Sequence, residues 1–122
     1  MYKFNDIEPI YLQLINIIKQ QIVNGNLKEN DRIKSVREMA QEYGINPNTV
    51  QKALSELEEL GFIYTDRTNG RYVAMTKQKM ELTKQEMGMV LTDSYIKSMQ
   101  ELNFKNEDIK KLLNKTLIKE EK

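Results

Sequence analysis

The chain has 122 residues and a formal net charge of +1, from 19 Lys and Arg against 18 Asp and Glu, and it contains no Cys, His or Trp. This composition excludes disulfides, zinc sites built on Cys or His, and catalytic triads that need a thiolate or an imidazole. No pair of acidic residues stands in a recognisable catalytic context. We therefore expect no enzyme activity, no cofactor and no metal site.

The sequence also carries no membrane or export signal. No apolar run approaches the ~18–20 residues of a membrane span. Residues Met1–Asp6 lack the basic segment and apolar run of a signal peptide. We therefore expect a soluble, cytoplasmic protein that has no membrane partner.

The first predicted element is a helix. Apolar residues recur at helical spacing from about Pro9 to Asn24, and Pro9 suits a first helical position. Gly25 follows as the end of the helix. The polar segment Asn26–Arg32 is typical of a turn.

Two further helices are predicted with a short turn between them. Ser35–Glu38 is a capping box that begins the second helix, and Gly44 ends it. Asn46 and Pro47 are an N-cap and a first-turn proline, so they begin a third helix, which ends at Gly61. This is the layout of a helix-turn-helix.

After the third helix, the helical spacing of apolar residues gives way to two short segments typical of β-strands. Phe62–Thr65 and Arg71–Ala74 are β-prone, and the loop Asp66–Gly70 between them ends in Asn-Gly, a hairpin signal. A β-hairpin directly after a helix-turn-helix is a wing.

Two more helices are predicted in the last part of the chain. Thr83–Glu86 is a second capping box, the helix it begins is expected to end near Asn103, and Asn106 is predicted to cap the final helix. We divide the chain into a winged helix-turn-helix domain, residues 1–77, and a tail, residues 78–122. One apolar stripe runs along each tail helix, and together the stripes contain Met87, Leu91, Tyr95, Met99, Leu102, Ile109, Leu112, Leu113 and Leu117.

The tail is too small to bury both stripes by itself or to enclose a ligand pocket of the usual ~300 Å³ or more. A dimer through the tail would cover both stripes. We expect it to have twofold symmetry, because most oligomers do. The alternative is a tail that folds back on its own domain.

Charge gives mixed evidence about nucleic acid. The net charge is flat along the chain, which counts against DNA binding. All four arginines, however, fall within residues 32–71, and arginine's planar fork suits phosphates and guanine edges.

The third helix offers a polar face to a DNA groove. Asn48, Thr49, Gln51, Lys52 and Ser55 lie opposite its apolar stripe, and Asn and Gln can bond adenine bidentately. The acidic residues further along the helix are expected to point away from the duplex; they are Glu56, Glu58 and Glu59.

Three other features could meet the duplex. Arg37, in the first turn of the second helix, suits a phosphate or a base edge. The helix starts at Ser35 and Asn46 carry free amides that bind anions. The wing could reach the minor groove through Arg67, Asn69, Gly70 and Arg71.

Each of these residues also has an ordinary structural interpretation. Ser35 and Asn46 would cap any helix. Lys52 and its neighbours could form a solvated face. Arg37 could pair with Glu38 or Glu42, a surface interaction worth ~0–1 kcal/mol. Their convergence on one side of a helix-turn-helix favours DNA binding.

The sequence resembles the winged-helix domain of the GntR family of bacterial transcription regulators, and its short tail is similar to that of the YtrA-like subfamily. The resemblance covers about residues 7–75. Its motifs are Pro9–Leu14, Gly25–Lys28, Asp31–Ala40, Gly44–Leu54 and Leu57–Ile63.

The resemblance implies a mainly α fold with a small β-hairpin, and a two-helix C-terminal tail through which members dimerise. The family usually has proline at the position of Lys34, so this chain has an extra cation there, and its wing lacks one glycine and the tip lysine. The DNA contacts that the family implies are Ser35, Arg37, Asn46, Asn48, Thr49, Gln51, Lys52 and Gly70.

The resulting hypothesis is a homodimeric, sequence-specific DNA-binding repressor of a twofold-symmetric operator. The recognition helix, about 47–60, would enter the major groove, and the wing, about 62–74, would lie at the minor groove. The alternative is a winged helix that binds proteins and has no specific DNA site. The sequence does not decide whether a small-molecule effector exists.

Overall fold

The computed structural model describes residues 3–67 and 69–121. The chain divides into two compact units, Met1–Lys84 and Gln85–Lys122. The elements in chain order are α1 Ile10–Val23, α2 Val36–Tyr43, α3 Pro47–Glu59, β1 Ile63–Asp66, β2 Gly70–Val73, α4 Lys77–Glu101 and α5 Asn106–Glu120. The predicted mainly α fold with a small hairpin is confirmed, and no helix in the described ranges is long and apolar enough to cross a bilayer.

The core of the first unit forms where α1 packs against α3. Leu14, Ile18 and Ile22 recur at four-residue spacing and are buried. Facing them, α3 buries one stripe of its own surface, and α2 adds Met39. Burial of this kind contributes roughly 1.5–3 kcal/mol for each large apolar side chain. The α3 residues in the core are Val50, Ala53, Leu54 and Leu57.

The turn between α2 and α3 has the predicted local chemistry. The N–H of Glu38 donates to Ser35 Oγ at 3.1 Å, and the N–H of Ser35 donates to Glu38 Oε1 at 2.9 Å. Gly44 ends α2 with φ +66°, where a side chain is disfavoured. Asn46 Oδ1 accepts from the N–H of Asn48 at 2.8 Å and begins α3. The helix-turn-helix therefore rests on local hydrogen bonds.

The wing is a two-stranded antiparallel hairpin to which an earlier segment is added. β1 and β2 pair from Ile63↔Val73 to Asp66↔Gly70, so each strand is shifted by one residue from its predicted position. Arg32 pairs with Tyr72 as an isolated bridge on the other edge of β2. The prediction that the turn extends through Arg32 was wrong, because the free backbone edge of β2 recruits this residue. Thr68, in the predicted loop, lies outside the described residues, as do Met1, Tyr2 and Lys122.

The predicted start of α4 was wrong. α4 begins at Lys77, six residues before Thr83, and Thr76 Oγ1 accepts from the N–H of Lys79 at 3.1 Å. No Pro or Gly interrupts residues 77–82, so the helix extends back to an earlier cap. Thr83 lies inside the helix, where its hydroxyl donates to Met75 Sδ at 3.9 Å.

In the second unit, α4 ends near Asn103 and α5 follows it, as predicted, but a different residue caps α5. Asn103 follows α4 with φ +71°, which asparagine tolerates. Lys105, and not Asn106, occupies the cap position of α5, and its N–H donates to Asp108 Oδ2 at 3.0 Å. Asn106 Oδ1 instead accepts from Gln100 Nε2 at 3.1 Å. A carboxylate three residues downstream thus replaces the expected cap.

Replacing Thr76 or Thr83 by alanine tests which of the two residues begins α4. Thr76→Ala should lower the free energy of unfolding by about 1 kcal/mol, because it removes the only side-chain acceptor at the described start of α4. Thr83→Ala should change it by less than about 0.5 kcal/mol, because it affects only a weak contact to sulfur. Urea denaturation at one protein concentration measures both. A larger loss for Thr83→Ala would contradict this helix start.

Candidate nucleic-acid interface

The outward face of α3 is polar and open to solvent. Asn48, Gln51 and Lys52 are exposed, and Thr49 is half-buried at the edge of the buried stripe. Because Asn46 uses its oxygen to cap the helix, its exposed amide group keeps two donors for another partner. The outward face at the start of α3 therefore carries both hydrogen-bond donors and hydrogen-bond acceptors.

Two of these side chains have partners within the protein. Gln51 Nε2 donates to Ser55 Oγ at 3.1 Å, which leaves the Gln51 oxygen available. The Lys52 ammonium lies 3.9 Å from the ring centroid of Tyr11 on α1. A cation over an aromatic face is worth ~0.5–1 kcal/mol at an exposed site, so Tyr11 holds this lysine near the start of α1. The sequence analysis missed this partner, since it lies 41 positions earlier in the chain.

One of the glutamates on α3 is engaged by the wing. The Thr65 hydroxyl of β1 donates to Glu58 Oε1. Glu56 is half-buried and Glu59 is exposed. The Thr65 contact ties the end of α3 to the first wing strand and occupies one of the acidic groups that the sequence places after the recognition face.

The carboxylates of α2 pair with cations other than Arg37. Lys34 Nζ bonds both oxygens of Glu42, with the Oε2 contact at 3.0 Å, and this carboxylate raises the pKa of Lys34. Arg32 Nη1 lies 3.6 Å from Glu38 Oε1. Arg37 is exposed and makes no hydrogen bond or ion pair with any residue that the structure describes. The pairing of Arg37 with Glu38 or Glu42 is therefore not formed.

The capping box favours the charged form of Glu38. The N–H of Ser35 lowers the pKa of Glu38 below its ordinary value, and the Ser35 hydroxyl and the charge of Arg32 act in the same direction. The exposed carboxylate thus accepts from the helix start and faces a guanidinium.

The wing is held together by two stacked tyrosines. The rings of Tyr64 and Tyr72 stack with centroids 5.6 Å apart. The Tyr64 hydroxyl donates to Asn30 Oδ1 and the Tyr72 hydroxyl to the carbonyl of Asn69, both at 3.1 Å. The second bond ties the loop back to the strand that follows it.

The wing residues predicted to meet DNA fall into two groups. Arg67 and Asn69 are exposed in the loop, and Gly70 begins β2 with φ +100°, a conformation that residues with a side chain rarely adopt. Arg71 is half-buried, and its Nε is buried with no hydrogen-bond partner in the described part of the chain. Its two terminal nitrogens carry the remaining donors of the side chain.

The sequence of residues 10–73 matches the model of the family described as bacterial regulatory proteins, gntR family. This chain belongs to the GntR family.

Other GntR-type proteins are similar over more of the chain. The HTH-type transcriptional repressor YtrA of Bacillus subtilis (strain 168) is 37% identical over 93 residues, which span 71% of this chain and 72% of YtrA. A GntR family transcriptional regulator from Listeria monocytogenes superposes with a TM-score of 0.86 at 37% identity, over 92% of this chain and 98% of that one. The expected likeness to YtrA is confirmed. The GntR family and these relatives are transcriptional regulators and not enzymes, as predicted.

Another similar structure contains DNA. The DNA-binding domain of AraR, solved in complex with operator ORR3, superposes with a TM-score of 0.54 at 26% identity and covers 61% of this chain and 89% of that domain. The GntR chain described here is accordingly a transcriptional regulator with a DNA-binding winged helix.

Proposed function

We propose that this GntR regulator is a homodimeric repressor that binds a twofold-symmetric operator. Residues 1–77 bind DNA and residues 78–122 form the dimer. The start of α3 enters the major groove, and the wing, about 62–74, follows the adjacent minor groove. The DNA-binding residues in this proposal are Lys34, Ser35, Arg37, Asn46, Asn48, Thr49, Gln51, Lys52, Arg67, Asn69, Gly70 and Arg71.

The observation that carries the proposal is that Arg37 is exposed and makes no hydrogen bond or ion pair with the described residues, while the outward face of α3 is polar and open. Both carboxylates of α2 already face other cations, Arg32 and Lys34. Arg37 and the exposed amides of Asn48 and Gln51 therefore keep free groups for base edges and phosphates. The operator complex of the similar AraR domain supports this use of the fold.

A nearly neutral protein can present such a surface because three acidic groups of α2 and α3 are engaged by other groups of the protein. Glu38 and Glu42 pair with neighbouring cations, and Glu58 accepts a hydrogen bond from the wing. These contacts reduce the repulsion that the carboxylates would exert on a phosphate backbone. Net charge therefore understates the affinity that we expect for DNA.

The exposed apolar residues of the tail support dimerisation. Leu91 and Leu102 are each 71% exposed, and Leu117 is 52% exposed, whereas Ile109 is buried at 6%. Exposed apolar side chains in continuous stripes are typical of a surface that another copy covers. A twofold dimer would present two recognition helices to half-sites about 34 Å apart, or a multiple of that distance.

The net charge of +1 favours a second candidate, a winged helix that binds proteins. The two functions differ in their affinity for nucleic acid at low salt. A DNA-binding dimer is retained on a random duplex or on heparin, and a protein-binding module flows through.

Selection of bound duplexes from a random pool tests the proposed function. We expect enrichment of an inverted repeat whose half-site spacing matches whole turns of the duplex, and a mock selection without protein controls for amplification bias. Recovery of no common sequence would contradict specific binding. Recovery of a site without symmetry would contradict the twofold dimer.

A further inference from the structure

Arg32 connects the wing to the start of α2. Its backbone bridges Tyr72 in β2, and the neighbouring Ile33 N–H donates to the carbonyl of Arg71 at 2.8 Å. Three residues later, Ser35 caps α2. The backbone of Arg32 is therefore fixed by the wing on one side and by a helix start on the other.

The side chain of Arg32 lies over Gly70. A Cβ atom placed on Gly70 would be 3.8 Å from Arg32 Nε and 3.9 Å from Nη2, which is ordinary van der Waals contact. The guanidinium of Arg32 therefore lies close to the wing backbone at Gly70. The side chain of Arg32 is still 54% exposed, so solvent reaches it in this position.

Glu38 leaves the donors of Arg32 largely unused. The Nη1–Oε1 distance of 3.6 Å is an ion pair but exceeds the length of a hydrogen bond. A guanidinium carries five N–H donors in a planar fork that matches phosphate oxygens. The group is thus charged, open to solvent and short of hydrogen-bond acceptors among the residues that the structure describes.

We propose that Arg32 binds a backbone phosphate of the operator at the junction between the wing and the start of α2. This inference rests on the proposed DNA-binding function and adds a residue to the proposed contacts. A phosphate is favoured over a base edge because the bridge to Tyr72 fixes the backbone of Arg32 beside the wing, and its guanidinium lies close to Gly70 and not on the recognition helix. The carboxylate of Glu38 competes with that phosphate for Arg32.

A phosphate contact makes a specific prediction about salt. Arg32→Gln should weaken binding roughly tenfold, and by the same factor for the selected duplex and a random-sequence duplex, because phosphates carry no sequence information. The slope of log affinity against log salt should become shallower by about 0.9 per protomer, or about 2 for a dimer. Lys111→Gln, which removes an exposed positive charge from α5, is the matched control and should leave the slope unchanged.

Fluorescence anisotropy titrations over a series of salt concentrations measure both quantities, and thermal melting by circular dichroism checks the fold of each variant. Unchanged affinity and slope for Arg32→Gln would overturn the inference. Weaker binding with an unchanged slope would also overturn it, since that result indicates a purely structural role in placing the wing.

Glu38→Gln provides a second test that does not depend on removing Arg32. Glutamine keeps an oxygen that can accept from the N–H of Ser35, so the capping box survives, while the competing charge disappears. Binding to both duplexes should become several-fold tighter. Weaker binding would contradict competition between the carboxylate and a phosphate.

The same titrations separate this inference from the proposed function. If the parent protein binds neither duplex, both the proposed function and the role of Arg32 are contradicted. If the parent binds and Arg37→Ala weakens binding while Arg32→Gln does not, only the role of Arg32 is overturned.

Discussion

Arg37→Ala should bind the selected operator about a hundredfold more weakly than the parent protein. A good arginine contact to a base edge is worth ~1–3 kcal/mol, and a dimer loses it twice. The free energy of unfolding should change by less than about 0.5 kcal/mol, because Arg37 is exposed and makes no hydrogen bond or ion pair with the described residues. Gel-shift titration at fixed salt and urea denaturation measure the two effects.

Two companion variants sharpen this test. Lys111→Ala removes an exposed cation from α5 and should leave operator affinity unchanged. Lys52→Ala should weaken binding by a smaller factor than Arg37→Ala, since its ammonium already contacts the ring of Tyr11. If neither Arg37→Ala nor Lys52→Ala altered affinity, the assignment of this face to DNA would be wrong.

Leu91→Glu combined with Leu113→Glu should convert the dimer into monomers. Each change places a charge in the apolar stripe of one tail helix, where the proposed interface would have to desolvate it. Light scattering measures the mass. Operator affinity should fall at least a hundredfold, because a monomer loses the high effective concentration of the second half-site.

The control for the tail uses exposed apolar residues on the other sides of the same helices. Met89 is 64% exposed and Ile118 is 58% exposed, and their sequence spacing places both away from the stripes. Met89→Glu with Ile118→Glu should remain dimeric. A dimeric Leu91→Glu/Leu113→Glu variant would refute the tail interface, and a monomeric control would show that the interface lies on the other faces.

Features that depend on neighbours in sequence were predicted well. The capping box at Ser35, the glycine that ends α2 and the Asn46 cap of α3 all form as expected, because each joins residues within four positions of one another. The apolar spacing of α3 likewise predicted its open face. These local signals were sufficient for the helix-turn-helix.

Local sequence signals gave wrong predictions where two of them competed, or where the partner of a residue lies far away in the sequence. Thr83 and Thr76 both offer a capping hydroxyl, and the continuous helix selects the earlier one. Arg32 was assigned to a turn, since nothing near it in sequence reveals the edge of β2 about 40 positions later.

The sequence by itself determined the order of the helices, the turn at Gly44 and the polar face of α3, because each follows from side-chain chemistry repeated over a few residues. Only the tertiary structure decided how the cations are partnered: Lys34 with Glu42, Arg32 with Glu38, and Lys52 with the ring of Tyr11. Within the part of the chain that the structure describes, Arg37 is left without a hydrogen bond or an ion pair. An ion pair between exposed groups is weak and has no sequence preference, so distances in the folded chain select among the available carboxylates.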